Sequence, residues 1–214
     1  MQPGNDPSPG GETFVEAARR DQIVAAAIET IAEEGYAKAS FVRIAERASI
    51  SPGLITYHFK TKERLIRRIL GDIDTRLDRA MEGGEEPLEG FEDGLRRIIT
   101  GHIGYCARNP REMTARREIT AAATLPERLR GEIAEAERAG RAELVGFLTE
   151  GRRHGEFRAF DPEVFTDTMF AAMHRAPAVL RERPSASPED YARELADLFC
   201  AAATGRPPEH RTDG

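Results

Sequence analysis

The sequence contains no tryptophan and only two cysteines, Cys106 and Cys200, among its 214 residues. Two cysteines are too few for the disulfide framework of a small secreted protein. No apolar run approaches the roughly 18 residues that a membrane-spanning helix needs. The first eleven residues have neither the basic start nor the apolar stretch of a signal peptide. We therefore expect a protein that does not enter a membrane and is located in the cytoplasm.

The motifs of common enzyme classes are also missing. The sequence holds no glycine-rich phosphate loop, no HExxH and no cysteine pair at metal spacing. We predict no catalytic residue, no metal site and no cofactor. One alternative stays open, because His102 and Cys106 lie one helical turn apart, which permits a Cys/His dyad or half of a metal site.

Strand signals are scarce, because apolar and polar residues do not alternate over any sustained stretch. Helical signals are frequent. Phe41, Ile44, Ala45 and Ala48 have the i, i+3, i+4, i+7 spacing of one helix face. Residues that cap helix starts precede several such stretches: Ser40, Ser51-Pro52, Thr61, Asp161-Pro162 and Ser187-Pro188. We predict an all-α fold of about nine helices, the fifth of which runs from about residue 88 to residue 108.

The segment from Ser40 to Leu65 predicts a helix-turn-helix. A break of only four residues, 48–51, separates the helix 41–48 from the next one, and so short a turn makes two helices cross steeply. Ile55 and Phe59, four residues apart, are expected to hold the second helix against the core. The side chains of Leu54, Thr56, Tyr57 and His58 then face away, beside Gly53, which permits close approach to DNA.

The charge distribution supports a nucleic-acid-binding end. The chain has a formal net charge of −6, yet residues 40–68 carry seven basic side chains against Glu46 and Glu63, a net of +5. Lys60 and Lys62 flank a helix start and are candidates for phosphate contacts. The alternatives are an ordinary helix hairpin with a solvated basic face and, for His58, a role in capping or packing only.

The stretch of about residues 19–66 resembles the DNA-binding domain of the TetR (tetracycline repressor) family, from AAAIETIAEEGYAKAS through SPGLITYHFKTKERL. The resemblance implies that Ser40, Arg43, Leu54 and Thr56 lie at or near bases, and that Tyr57, His58, Lys60 and Lys62 contact phosphates. Ser51, Pro52 and Gly53 complete the predicted DNA-binding set. Ser49 stands where the family usually has a turn glycine, so we expect some strain there.

By their composition, residues 1–14 are predicted to be a disordered leader and 205–214 a disordered tail. By the same resemblance, 15–66 is the DNA-binding domain and 67–204 a ligand-binding and dimerisation domain. Polar or soft side chains on apolar helix faces are the candidate ligand contacts: His102, Tyr105, Cys106, Arg117, Phe147, Met169, Met173 and His174. Core packing is the alternative for each. Three glycines in one predicted helix, at 94, 101 and 104, indicate either close packing or room for a ligand. Phe165, Ala172, Leu195 and Phe199 are the candidate dimer contacts.

The resulting hypothesis is a homodimeric, sequence-specific DNA-binding regulator, a repressor released from a (pseudo)palindromic double-stranded operator by a small-molecule effector. A transcriptional activator, and a helical ligand-binding protein without DNA function, are the alternatives.

Overall fold

The computed structural model describes residues 14–84, 87–183 and 187–206, and within these ranges the chain forms nine α-helices and no strand. The all-α prediction is confirmed for this part of the chain. Residues 1–13 of the predicted leader and 207–214 of the predicted tail lie outside the described residues, and Phe14 already begins the first helix. The helices are α1 (Phe14–Glu34), α2 (Phe41–Ala48), α3 (Pro52–Phe59), α4 (Lys62–Glu82), α5 (Phe91–Arg108), α6 (Pro110–Thr120), α7 (Glu127–Arg153), α8 (Pro162–Glu182) and α9 (Pro188–Thr204).

Side-chain caps start the helices where the sequence predicts them. The side-chain oxygens of Ser40, Ser51, Thr61, Asp161 and Ser187 each accept a hydrogen bond from a backbone N–H in the first turn of α2, α3, α4, α8 and α9. These bonds satisfy donors that a helix start otherwise leaves free. The predicted cap positions are thereby confirmed.

The start of α5 differs from the prediction of about residue 88. The helix begins at Phe91, after Gly90, whose φ of 153° suits glycine. Gly90 has no side chain to cap the helix. Instead the carboxylate of Glu156 accepts from the backbone N–H of Phe91 at 2.7 Å and of Glu92 at 3.3 Å. A cap supplied from another segment leaves no local sequence signal, which explains the error.

Two clusters of buried apolar residues hold the helices together. The first contains residues of all four helices α1, α2, α3 and α4, and it also includes residues of α6 and of the start of α7, such as Ile119 and Leu129. The second joins α5, α7, α8 and α9, with Ile99 and Met169 fully buried. The predicted boundary between residues 66 and 67 lies inside α4, which is one continuous helix. The N-terminal helices α1–α3, here called the head, are therefore joined to the remaining helices, the body, through α4.

The head also contacts the body through α6. Arg111 in the first turn of α6 forms ion pairs with Glu29 and, at 2.9 Å, with Glu33 of α1. Glu33 also pairs with Arg47 of α2. These ion pairs connect α6 to α1 and, through Glu33, to α2.

Candidate nucleic-acid interface and ligand cavity

The turn between α2 and α3 consists of residues 49–51 and is held by hydrogen bonds. Ser49 adopts a left-handed backbone conformation with φ 54° and ψ 44°, and its N–H donates to the carbonyl oxygens of Ala45 and Glu46. A left-handed residue other than glycine is strained by about 1 kcal/mol or more. The side-chain amide of Gln22 in α1 donates to the Ala48 carbonyl at 2.9 Å. The end of α2 is thus tied to the head core.

Helix α3 buries two residues and exposes the opposite face. Ile55 and Phe59 are buried, as their spacing predicts. Thr56 is exposed and its hydroxyl donates to the Pro52 carbonyl at 3.2 Å, while Leu54 is half-buried. The side chain of Tyr57 is 61% exposed, which leaves this large ring without a role in the core. The exposed face has the shape and side chains that suit a DNA groove.

The two lysines after α3 have different environments. The ammonium of Lys60 lies 5.2 Å from the ring centroid of exposed Tyr57. Lys62 instead donates to the Tyr36 carbonyl at 2.6 Å and lies 4.1 Å from the Tyr36 ring centroid. Burial lowers the pKa of Lys62. Lys60 therefore presents its charge at the surface, whereas Lys62 also fastens α4 to the segment after α1.

The remaining predicted DNA-contacting residues are all accessible to solvent at least in part. Ser40, Arg43, Ser51, Pro52 and Gly53 are exposed, and His58 is half-buried with its ring edge-on to Tyr57 at 5.1 Å. The guanidinium of Arg43 is 3.9 Å from the carboxylate of Glu34.

Two further cations flank this surface. Lys38 precedes the cap of α2, and Arg64 lies in the first turn of α4, and both are exposed. Neither is among the DNA contacts predicted from the sequence. Their nearness to the capping residues Ser40 and Thr61 is the signal that could have identified them.

The body contains a cavity of about 490 Å³ that is lined by residues of α4, α5, α6, α7 and α8 and is open to solvent along the middle of α7. This volume is in the range of small-molecule sites. The inner face of α7 has large residues at Leu129, Ile133 and Leu144, but Ala136 and Gly140 in the two turns between them. Small residues in the middle of an apolar stripe leave this space open. That pattern is visible in the sequence and was missed.

Three of the eight predicted ligand residues line this cavity: His102, Met173 and His174. The other five are not among the residues that line it. Phe147 packs on Gly94 and Phe91, and Met169 is fully buried in the second core cluster. Arg117 is exposed and pairs with Glu118, and its neighbour Arg116 lines the cavity instead.

Tyr105 and Cys106 have surroundings that explain their burial without a ligand. The Tyr105 hydroxyl donates to Glu112 and accepts from Arg76 at 3.4 Å. Burial raises the pKa of the Cys106 thiol to about 11. At neutral pH the thiol is therefore protonated, which opposes the role of a nucleophile. No group of three or more metal-ligating side chains is placed to hold a metal ion within residues 14–84, 87–183 and 187–206.

The imidazole of His102 is buried and uncharged. Burial lowers its pKa from 6.5 to about 4, with smaller effects from His174 and Arg116, while a hydrogen bond at the Met173 backbone acts in the opposite direction. The Met173 carbonyl is free to accept because Pro177, four residues further along α8, has no N–H.

We expect His102 to make the folded state less stable in acid. Below the unfolded pKa of 6.5 the unfolded chain binds a proton that the folded chain does not accept until about pH 4. Stability is therefore lost as the pH falls from 6.5 to 4, by up to about 3 kcal/mol. Urea unfolding at several pH values, followed by circular dichroism, measures this loss. The variant His102→Leu should show a flatter dependence over that range, and an unchanged slope would contradict the assignment.

The predicted dimer residues are divided between core and surface. Phe165 and Phe199 are buried in the protomer and contact each other with ring centroids 5.4 Å apart. Ala172 and Leu195 are half-buried. The large apolar side chains that α8 and α9 do expose are Val164 and Leu198, at 61% and 68%. Neither is among the dimer contacts predicted from the sequence.

A capped helix-turn-helix with one exposed helix, joined by a continuous helix to a helical body, defines the class of helix-turn-helix proteins with a second helical domain. Residues 23–69 match the family described as "Bacterial regulatory proteins, tetR family". Residues 89–203 match "Tetracyclin repressor-like, C-terminal domain". The chain belongs to the TetR family, which confirms the resemblance found in the sequence. This is a family of regulatory proteins, so the enzyme hypothesis has no support.

Curated relatives match a stretch of about 90 residues. The regulator BetI 1 of Chromohalobacter salexigens is 39% identical over 90 residues, which are 40% of this chain and 43% of that protein. BetI of Stenotrophomonas maltophilia is 32% identical over 94 residues, 42% of this chain and 46% of that protein. The chain thus spans less than half the length of these relatives.

Solved structures are similar over most of the chain. A TetR-family transcriptional regulator from Rhodococcus sp. is 28% identical, with a TM-score of 0.73 over 87% of this chain and 99% of that one. FadR of Bacillus subtilis, solved in complex with stearoyl-CoA, is 22% identical, with a TM-score of 0.68 over 85% of this chain and 98% of that one. The second likeness concerns the fold alone. In the described residues, no helix is long and apolar enough to cross a membrane.

Proposed function

We propose that this protein is a cytoplasmic, homodimeric transcription regulator that binds operator DNA through α3 and is released from it by a small molecule in the body. The observation that carries the proposal is the exposed face of α3. Its neighbours Ile55 and Phe59 are buried, whereas Tyr57 is 61% exposed and has the cation of Lys60 beside it. A rigidly capped helix that presents a ring, a hydroxyl and a cation to solvent suits a DNA groove and its phosphates.

The proposed dimer forms through α8 and α9. Exposed Val164 and Leu198 supply apolar surface that a second copy would cover. Two heads related by a two-fold axis would read a (pseudo)palindromic site, with half-sites about 34–36 Å apart. A change of a few ångströms in the head separation then suffices to lower the affinity for DNA.

The proposed coupling between ligand and DNA runs through α6. Arg116 of α6 lines the cavity and pairs with Asp74 of α4 at 3.1 Å. At the other end of α6, Arg111 pairs with Glu29 and Glu33 of α1. A ligand that fills the cavity beside Arg116 would bias the position of α6 and, through α1, that of the head.

A gel-shift titration with the DNA that flanks the gene tests the proposal. We expect a sequence-preferring complex that weakens steeply with salt, because each phosphate contact lowers the logarithm of affinity by about 0.9 per decade of salt. A duplex of the same composition in scrambled order is the control. Equal binding of the two duplexes would contradict the regulator and favour a helical ligand-binding protein without DNA function. Reporter expression with and without the gene distinguishes repression from activation.

A further inference from the structure

The lining of the body cavity is acidic. Two cations, Arg67 and Arg116, face five carboxylates, so the ionisable lining has a net charge of −3. The carboxylates come from α4 and α7: Asp74, Asp78, Glu132, Glu137 and Glu143. His102 and His174 add no positive charge at neutral pH, because burial lowers the pKa of both. An excess of one charge sign in a cavity attracts ligands of the opposite sign.

The arginines already have carboxylate partners. Arg67 pairs with Glu132, and Arg116 with Asp74. Asp78 and Glu143 form no ion pair with a basic side chain in the described part of the chain. The pKa of Asp78 is raised, first by burial and then by the charges of Asp74, Glu143 and Glu82, while Arg116 acts in the opposite direction. Because these carboxylates repel one another, a cation bound in the cavity would stabilise them.

The wall of the cavity also contains a buried polar atom without a hydrogen-bond partner. His102 is only 5% exposed, lines the cavity, and its Nε2 has no hydrogen-bond partner. A buried polar atom without a partner is costly and normally finds one. An uncharged imidazole can bond a polar ligand group without repelling a cation. The carboxylates and this ring thus give the cavity two kinds of polar group.

The rest of the cavity wall is largely apolar. Phe170, Met113, Met173 and Met81 line it, together with Leu70 and Leu77. Methionine side chains adapt to irregular ligands, and the guanidinium of Arg141 already lies over the Phe170 ring, 5.4 Å from its centroid. We propose that the effector is an amphipathic organic amine, protonated at neutral pH, whose ammonium N–H groups bind Asp78 and Glu143 and whose largely apolar body carries one hydrogen-bond donor for Nε2 of His102. This inference rests on the proposed ligand-binding function of the body.

An acyl-CoA is the ligand class that this lining opposes. FadR of Bacillus subtilis holds stearoyl-CoA in a similar fold, but phosphates and a net lining charge of −3 repel each other. Arg67 and Arg116 would have to leave Glu132 and Asp74 to receive phosphate groups. The sign of the charge therefore separates the two ligand classes.

Isothermal titration calorimetry of the full chain without DNA tests the proposal with three probes that share one apolar body: 4-phenylbutylamine, 4-phenylbutanol and 4-phenylbutyrate. We expect the amine to bind about tenfold more tightly than the alcohol, and the carboxylate to bind most weakly. The double variant Asp78→Asn with Glu143→Gln should lower the amine affinity to that of the alcohol. Glu135→Gln is the matched control on α7, since Glu135 is exposed, pairs with Arg138 and does not line the cavity.

Thermal unfolding of the variants separates binding from folding. Removing mutually repelling carboxylates should leave the Tm of the free protein unchanged or raise it, while the amine preference is lost. The proposal is overturned if stearoyl-CoA or the carboxylate binds more tightly than the amine, if the amine does not bind at millimolar concentration, or if its preference survives in the double variant. Because no DNA is present, failure of operator binding in the gel shift would leave this result intact, and the two hypotheses are tested separately.

Discussion

Replacing Gly101 by alanine is expected to destabilise the protein by about 3 kcal/mol, the upper end of the usual cost of overpacking. A Cβ at this position would lie 2.0 Å from the carbonyl oxygen of Ala80 and 2.9 Å from the Cα of Met81. Both atoms belong to the backbone of α4, so neither can rotate away. The two helices would have to separate along their contact. Thermal unfolding followed by circular dichroism should show a Tm lowered by roughly 6–12 °C.

Gly104→Ala in the same helix is the matched control. The nearest atom to its added Cβ is a guanidinium nitrogen of Arg108, at 3.0 Å, the end of a flexible side chain. Alanine is favoured over glycine inside a helix by about 1 kcal/mol, so this variant should be as stable as the wild type or more stable. If Gly101→Ala were equally well tolerated, the close approach of α4 and α5 would not exist in the protein.

The glycines of α5 illustrate what a sequence can and cannot specify. Three glycines in one helix indicate that something approaches closely, and the sequence left packing and ligand space as equal alternatives. At Gly101 the neighbour is the backbone of α4, and at Gly94 it is the ring of Phe147. Both neighbours are distant in sequence, so no local pattern names them. Close packing is thus the structural reason for two of the three glycines, Gly94 and Gly101.

The head was predicted well because its signals are local. The caps Ser40, Ser51 and Thr61 act within three residues, and the burial of Ile55 and Phe59 follows from helical spacing alone. The exception is a long-range contact. The sequence gives no sign that the ammonium of Lys62 reaches the carbonyl of Tyr36, 26 residues away.

The cavity was predicted poorly for the same reason. Met173 and His174 of α8 lie on its wall. Phe147 of α7, which was predicted to line the same cavity, packs against Phe91 instead. An apolar stripe shows which face of a helix is inside, but which turn borders a void depends on residues of other helices. One local signal does exist. The small residues Ala136 and Gly140, between large residues of α7, mark the turns of this helix that line the cavity.

On the proposed function, Lys60→Ala is expected to weaken operator binding roughly 30-fold at about 0.15 M salt, because a dimer loses two phosphate contacts. The slope of the logarithm of affinity against that of salt should become shallower by about 1.8, two contacts at about 0.9 each. Lys60 is suited to this role because its ammonium is exposed beside Tyr57 and has no carboxylate partner among the described residues. Fluorescence anisotropy with labelled operator DNA over a range of salt concentrations measures both quantities.

Two further variants divide the DNA surface by function. Tyr57→Phe keeps the ring under Lys60 but loses the hydroxyl, so it should weaken binding to every duplex without changing the salt slope. Thr56→Val keeps the shape of the side chain but loses the oxygen, so it should alter base preference at one position of each half-site, by about 1 kcal/mol, the lower end of the range for a side-chain–base contact.

Arg79→Ala is the control for the loss of positive charge. Arg79 is exposed in the last turn of α4, while Lys60 precedes the first turn, and a helix rises by about 1.5 Å per residue, which puts the two roughly 25 Å apart. Beyond about 10 Å a charge at the surface is largely screened in 0.1 M salt, so this variant should bind with an unchanged slope. If Arg79→Ala and Lys60→Ala changed the slope equally, the effect would come from net charge. If neither changed it, DNA would contact a different face of the head, and α3 would lose its proposed role.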